Sequence, residues 1–490
     1  MTMLPFASLI FLDKSSKTPV FLQIANSLSE NIRQGIIAGG AKLPGSRTMA
    51  SVLSVHRKTI LAAYDELLAQ GWLETQSSRG TYVSKKLPEI KPQSIKKEQQ
   101  SDTLNQPGFH FEGNKLLALP LVKAQNTLSF DDGFPDVRLA PWDALGRAHR
   151  SSVQHGFRRN MLSYGETTGH PSLRSAMLEY LTESRGLPIR LEQVLITRGT
   201  MMAIHLAVQC IIQPGEKVVV AELSYASCNL IMQHAGAELI KVPVDEFGID
   251  VDAIARICKE TPIRMVYVTP HHHYPTTVIM PADRRMKLLQ LAREHRFCIL
   301  EDDYDYDFHY NSNPILPLAS ADAGNNVIYV GSLSKVFSPA LRIGYVVAPA
   351  PIIQAMANLR RIIDRQGDNL LESAVAALFQ EGEMRRHLKK AQKKYHARRD
   401  LFCEMLQNNL GNYLEFVKPT GGLAVWAKLN ADIPLAELAT RCRQNGLWIS
   451  DGLQYGKELN ATRLGFASTN EEEITRGMAI LKQQIQGLLA

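Results

Sequence analysis

Gly331-Ser332-Leu333-Ser334-Lys335 runs into Val336-Phe337-Ser338-Pro339-Ala340-Leu341-Arg342-Ile343-Gly344-Tyr345, and Glu301-Asp302-Asp303-Tyr304 lies about one βα unit upstream. A lysine among small hydroxyl residues, with an arginine seven positions on, is the layout of a pyridoxal 5'-phosphate (PLP) site. In such a site the lysine forms a Schiff base and a carboxylate keeps the pyridine nitrogen protonated, while hydroxyls and an arginine hold the phosphate. Short apolar runs alternate with helical patterns around this segment: Val194 to Thr197, Val218 to Ala221, Met265 to Thr269, Phe297 to Leu300 and Val327 to Val330. That alternation predicts a mostly parallel sheet covered by helices, with a smaller, helix-rich C-terminal subdomain from about Met356.

In open α/β sheets, ligands bind beyond the carboxyl ends of the strands. Four predicted strand ends then deliver four parts of one site. Arg198-Gly199-Thr200-Met201 opens a helix whose backbone N–H groups can cradle a phosphate. Tyr225 follows the second run and can stack on a ring. Asp302 follows Phe297 to Leu300, and Lys335 follows Val327 to Val330. Asp302 is one of several carboxylates here, with Glu301, Asp303, Asp305 and Asp307 around it. The triple His271-His272-His273 invites a metal reading. Adjacent residues cannot all face one ion, so no metal site is expected.

The first ~85 residues read differently. Apolar positions Ile24, Leu28, Ile32 and Ile36 predict a helix over 21–37, a short helix follows around Arg47 to Leu53, and a third runs to Gln70 from an N-cap at Ser54. Trp72-Leu73-Glu74 and Thr81-Tyr82-Val83 then predict two strands, completing a winged helix-turn-helix. His56, Arg57, Lys58 and Thr59 open the third helix, where cations oppose the helix dipole. Their placement makes sense if DNA phosphates supply the opposite charge. Arg47 is placed to meet backbone phosphates, and Arg79 at the wing tip to enter the minor groove.

Charge divides the chain in the same place. Of the net +7, residues 1–97 carry thirteen Lys and Arg against six Asp and Glu, and the rest is balanced. The whole excess therefore sits on the module that needs it. The expected domains are 1–84 (winged helix-turn-helix), 85–128 (a Lys-, Gln-, Ser- and Pro-rich linker) and 129–490 (the cofactor-binding domain). Six scattered cysteines without a Cys-x-x-Cys pair suit a reducing cytosol. The apolar start, Met1 to Leu12, lacks a basic region before it and contains Pro5, so it is not read as a signal peptide. No run reaches the length of a membrane span, and the expected location is the cytoplasm.

From about Leu128 onward the chain resembles fold-type-I PLP-dependent aminotransferases, and as a whole it resembles the MocR subfamily of GntR regulators. The resemblance is carried by Lys42-Leu43-Pro44-Gly45-Ser46-Arg47, Arg57-Lys58-Thr59-Ile60, Gly80-Thr81-Tyr82-Val83, Thr197-Arg198-Gly199-Thr200, Gln213-Pro214-Gly215-Glu216, Tyr274-Pro275-Thr276, Glu301-Asp302-Asp303-Tyr304-Asp305, the Lys335 segment and Arg463-Leu464-Gly465-Phe466-Ala467. It implies Lys335 as the Schiff-base lysine and Asp302 as the partner of the ring nitrogen. Tyr304 would reach the phenolic oxygen, and Tyr225 would stack on the ring. Ser332, Arg342 and the backbone of Gly199, Thr200 and Met201 would take the phosphate. Arg463 would grip an effector carboxylate, and Tyr164 would lie near the phosphate of a neighbouring subunit.

Four positions depart from the family pattern: Met201 for glutamine, Thr277 for glycine, Glu166-Thr167 for Asp-Pro, and Ser227 where some members place a second arginine. The resemblance implies a head-to-tail homodimer that binds a double-stranded DNA operator and an amino acid or amine effector. An active aminotransferase with a tethering DNA-binding domain, and a sensor of PLP itself, are the alternatives. A transamination half-reaction fits either class of protein.

Overall fold

The computed structural model describes residues 5–13, 15–77, 79–87, 107–117, 128–310, 315–456 and 458–489, which form two compact units divided at Gly113/Asn114. Most of the linker expected at 85–128 lies outside the described residues.

The N-terminal unit contains helices Val20–Arg33, Ser46–Leu53 and Arg57–Ala69, then antiparallel strands Leu73–Gln76 and Gly80–Val83. Ile24, Leu28, Ile60, Ala63 and Leu67 are completely buried between the helices, and Phe6 and Ile10, in and just after the short leading helix Phe6–Leu9, join them. The Tyr64 hydroxyl donates to the Pro44 carbonyl at 2.8 Å, which ties the third helix to the turn before the second.

Two details differ from the sequence reading. The first helix stops at Arg33 because Gly35 turns the chain at φ 73°, leaving Ile36 exposed and burying Ile37 in its stead. Ser54 is not the N-cap of the third helix. It ends the second helix in the left-handed region (φ 52°), where Val55 N–H reaches back to the Ala50 carbonyl. The cap is His56, whose ring nitrogen accepts from Lys58 N–H at 3.2 Å.

The larger unit is built on seven strands, labelled in chain order: β1 Val194–Thr197, β2 Lys217–Ala221, β3 Glu238–Val242, β4 Met265–Val268, β5 Cys298–Asp303, β6 Val327–Ser332 and β7 Gly344–Val347. Their spatial order is β1-β7-β6-β5-β4-β2-β3, parallel except that β7 runs antiparallel to both its neighbours. Alternation assigns the faces. Leu195, Val218, Tyr267, Leu300 and Val330 pack on helices Thr200–Ile211 and Ala350–Ile363. Val219, Val266, Ile299 and Val327 pack on helices Val251–Glu260 and Ala282–His295. Both faces are covered, so these strands read as continuous apolar runs.

Strands β5 and β6 extend further than the apolar runs suggest, through Asp303 and Ser332. Asp302 therefore sits inside the strand end and does not follow it. The C-terminal subdomain has an antiparallel sheet of Leu414–Phe416, Ala424–Leu429 and Ala461–Gly465 under helices Glu383–Leu410 and Glu471–Leu489. It starts later than Met356, which is buried in the core of the large sheet. Leu128–Phe130 joins this subdomain through parallel pairing with Leu447–Ile449. No helix among the described residues is long and apolar enough to cross a membrane.

Candidate cofactor and effector site

Period-two geometry decides which acidic residue of β5 enters the site. Leu300 and Asp302 share one face; Ile299, Glu301 and Asp303 share the other. The Tyr267 hydroxyl donates to Asp302 Oδ2 at 2.9 Å, while Asp302 Oδ1 is buried and has no hydrogen-bond partner. Burial pushes the Asp302 carboxyl up to about 7. Such an oxygen is what a protonated ring nitrogen would satisfy. Asp303 also leaves its Oδ1 buried without a partner, but it lies on the opposite face, where it accepts from the Tyr329 hydroxyl, and Glu301 accepts from the N–H groups of Leu318 and Ala319 at 2.8 and 2.9 Å. Both are structural.

A raised carboxyl pKa lowers stability between its unfolded value, 3.8, and its folded value near 7, because the folded state keeps a proton that the unfolded state has released. Asp302→Asn is therefore expected to stabilise cofactor-stripped protein more at pH 8 than at pH 5. Thermal melts of the two proteins at both pH values check this, and equal gains would remove the argument.

Lys335 lies at the β6 end of the same face. Its Nζ donates to the Gly133 carbonyl at 2.8 Å and sits 4.1 Å from the Phe134 ring centroid. Burial lowers its pKa, with Asp132 and Asp131 acting in opposition. That shift favours the neutral amine a nucleophile requires.

The candidate phosphate end is the start of helix Thr200–Ile211. Gly199 caps helix Thr200–Ile211 with φ 81°, and a Cβ there would meet the Arg342 guanidinium at 3.0 Å. Arg342 Nη2 donates to the Arg198 carbonyl at 3.0 Å, which holds the guanidinium against Gly199 at the start of that helix. The buried Ser332 hydroxyl accepts from Ser334 N–H at 3.3 Å. Tyr225 meets Tyr274 edge-on at 5.2 Å. The Tyr304 hydroxyl donates to the His272 carbonyl at 3.0 Å.

Tyr164 stands apart from this group. It is 73% exposed, with the Arg365 guanidinium 4.0 Å from its ring centroid. The three histidines diverge. His272 Nδ1 pairs with Asp305 at 2.7 Å, His273 Nδ1 with the Thr276 hydroxyl at 2.9 Å, and His271 packs on Tyr306. Thr277 adopts φ 63°. A β-branched residue there is strained by about 1–2 kcal/mol. Thr277→Gly should raise the unfolding free energy by roughly 1 kcal/mol after the entropy of glycine is set against it, read as a higher Tm; no rise would mean the strain is relieved locally.

Arg463, expected to grip an effector carboxylate, already holds a carboxylate of its own chain. Its Nε lies 3.1 Å from Asp132 Oδ1, an ion pair whose direction falls short of a hydrogen bond. Nη1 donates to the Pro275 carbonyl at 3.2 Å and to the Tyr304 hydroxyl at 3.4 Å. The hydroxyls of Tyr274 and Tyr455 donate to the two Asp132 oxygens at 3.1 and 3.2 Å. Sequence reasoning missed Asp132 and Tyr267. Asp131-Asp132-Gly133, just before the first large helix, was the available signal for the former.

At the N-terminal unit, Arg47, His56, Arg57, Lys58 and Arg79 are exposed and Thr59 is partly buried. Arg57 Nε donates to the Ser46 hydroxyl at 3.2 Å, so the starts of the second and third helices present their charges together.

Fold and site thus define a class: a winged DNA-binding module in one chain with an aminotransferase fold. Residues 126–481 match the model of the aminotransferase class I and II family, and residues 21–83 match that of bacterial regulatory proteins of the gntR family. The chain is 28% identical to the probable rhizopine catabolism regulatory protein MocR of Rhizobium meliloti, covering 86% of this chain and 84% of the relative. It is 27% identical to the pyridoxine biosynthesis regulator PdxR of Corynebacterium glutamicum, over 95% and 96% of the two chains. Among solved structures it is similar to a kynurenine aminotransferase of Pyrococcus horikoshii, with TM-score 0.71, 25% identity, and coverage of 80% of this chain and 99% of that one. LysN, the α-aminoadipate aminotransferase of Thermus thermophilus, gives TM-score 0.69 at 27% identity over 74% of this chain and 93% of LysN. The chain belongs to the aminotransferase class I and II family and, by its paired domains, to the MocR subfamily of GntR transcriptional regulators.

Proposed function

We propose that this regulator binds a double-stranded DNA operator with its winged domain and reads an amino acid or amine effector through PLP held in its aminotransferase-type domain. The buried, unpartnered Oδ1 of Asp302 is the observation that carries the cofactor reading. PLP supplies an electrophilic carbonyl and an electron-withdrawing ring. The chain's own residues do the rest. Asp302 accepts the ring N–H, Lys335 presents its amine, and Tyr225 flanks the ring. Tyr304 reaches the phenolic oxygen, while Ser332, Arg342 and the N–H groups of Gly199, Thr200 and Met201 hold the phosphate. Arg47, His56, Arg57, Lys58, Thr59 and Arg79 meet the DNA.

The working molecule in this reading is a cytoplasmic, head-to-tail homodimer divided as 1–84, 85–128 and 129–490. The exposure of Tyr164 supports a role at the partner's phosphate site. The test is to titrate PLP-loaded full-length protein with a panel of amines while following cofactor absorbance, keto-acid formation and operator affinity. Changed absorbance and operator affinity without steady turnover is the expected result. Steady turnover with unchanged operator affinity would make the chain an enzyme, and a response to PLP alone would make PLP the signal.

A further inference from the structure

Asp302 lies among side chains that cannot hold a carboxyl. On β6 it stands beside Val330, and the pairing with β4 ends one position short of it, with Leu300 beside Tyr267 and Glu301 beside Val268. The face around it is built of Val218, Met265, Leu300 and Val330. Tyr267, two positions back on the neighbouring strand, is long enough to lean along the sheet toward it. Its hydroxyl donates to Oδ2 at 2.9 Å, while its ring is 2% exposed and packs in the same core.

The consequence is both geometric and electrostatic. A tyrosine hydroxyl has one proton to give. Given to Oδ2, it anchors that oxygen and leaves the buried Oδ1 as the end of the carboxyl still to be satisfied. A donated hydrogen bond also favours the ionised carboxylate. Burial raises the Asp302 carboxyl, and the bond from Tyr267 opposes that rise. An ionised Asp302 can accept a ring N–H and keep it protonated, whereas a neutral one brings a proton of its own.

We propose that Tyr267 is a positioning residue for the cofactor: it holds Asp302 ionised with Oδ1 free for the ring nitrogen, and so sets the pH range over which that nitrogen keeps its proton. The inference rests on the proposed PLP reading and adds a residue to it.

The test loads full-length protein with PLP carrying 15N at the ring nitrogen and follows the nitrogen shift by solid-state NMR between about pH 6 and about pH 10. Wild type is compared with Tyr267→Phe, Tyr329→Phe and Asp302→Asn. Tyr267→Phe keeps the packed ring and removes only the hydroxyl, and Tyr329→Phe removes the matching hydroxyl from Asp303 on the opposite face. Cys228, Tyr225, Asp303 and Asp305, the other titratable groups that interact with Asp302, are the same in every variant. In Tyr267→Phe the nitrogen should lose its proton at least about one pH unit lower than in wild type, and PLP affinity by equilibrium dialysis should fall about tenfold. Tyr329→Phe should follow the wild type in both.

A tyrosine that only fills the core would alter Tm and leave the nitrogen unmoved. The inference is therefore overturned if Tyr267→Phe and wild type show no difference across the range, or if Tyr329→Phe shifts the nitrogen equally. A wild-type nitrogen that is unprotonated throughout, or an unchanged shift in Asp302→Asn, would remove Asp302 from the cofactor and this role of Tyr267 with it.

Discussion

Asp302→Ala should weaken PLP binding by at least a factor of about one hundred, the ~3–5 kcal/mol lost when one partner of a buried charged pair is removed. Asp303→Asn, one residue along, should leave PLP affinity within about threefold, since its carboxyl faces the other side of the sheet and accepts from Tyr329. Its effect should appear in Tm. Equilibrium dialysis of PLP against both variants separates the two residues. If Asp303→Asn loses PLP and Asp302→Ala keeps it, the assignment of faces is wrong.

Arg57→Ala should cost about 1–3 kcal/mol of operator affinity at each half-site, roughly ten- to a hundredfold, without changing PLP absorbance. The side chain is exposed and anchored only through Ser46, so its loss should leave the core of the winged unit intact. Operator affinity of the wild type should also fall steeply with salt as Arg47, Lys58 and Arg79 displace counterions. Gel-shift titrations at several salt concentrations measure both effects. An Arg57→Ala protein with wild-type affinity would place the DNA on another face.

Both modules were legible in the sequence for physical reasons. Strands buried on two faces leave uninterrupted apolar runs, so Val194–Thr197 read with its observed bounds. The ends of β5 and β6 were not legible in the same way. Asp302, Asp303 and Ser332 are polar residues that stay in strand conformation because neighbouring strands take their backbone hydrogen bonds. Hydrophobicity cannot mark such positions. Ser54 misled because serine favours both helix caps and turns, and only the left-handed φ of the folded chain decides between them.

The proposed cofactor site was legible as a candidate because glycine, lysine and arginine at fixed strand ends each have a physical reason to be there. The Asp132–Arg463 pair was not, since it joins residues more than three hundred positions apart that meet only through the fold. Geometry also bears on the choice of Asp302 over Asp303 for the proposed site. Alternation from Leu300 places one carboxyl with Tyr267 and the other with Tyr329.

The most direct test of the central claim is operator affinity measured with and without the amine that most changes cofactor absorbance in the panel titration, in the PLP-loaded wild type and in Lys335→Ala. The wild type should change its operator affinity when the amine is added. Lys335→Ala should bind the operator as the wild type does without amine, because the basic residues lie on a separate unit, and should show no change on addition. A Lys335→Ala protein that responds to the amine as fully as the wild type would contradict the account.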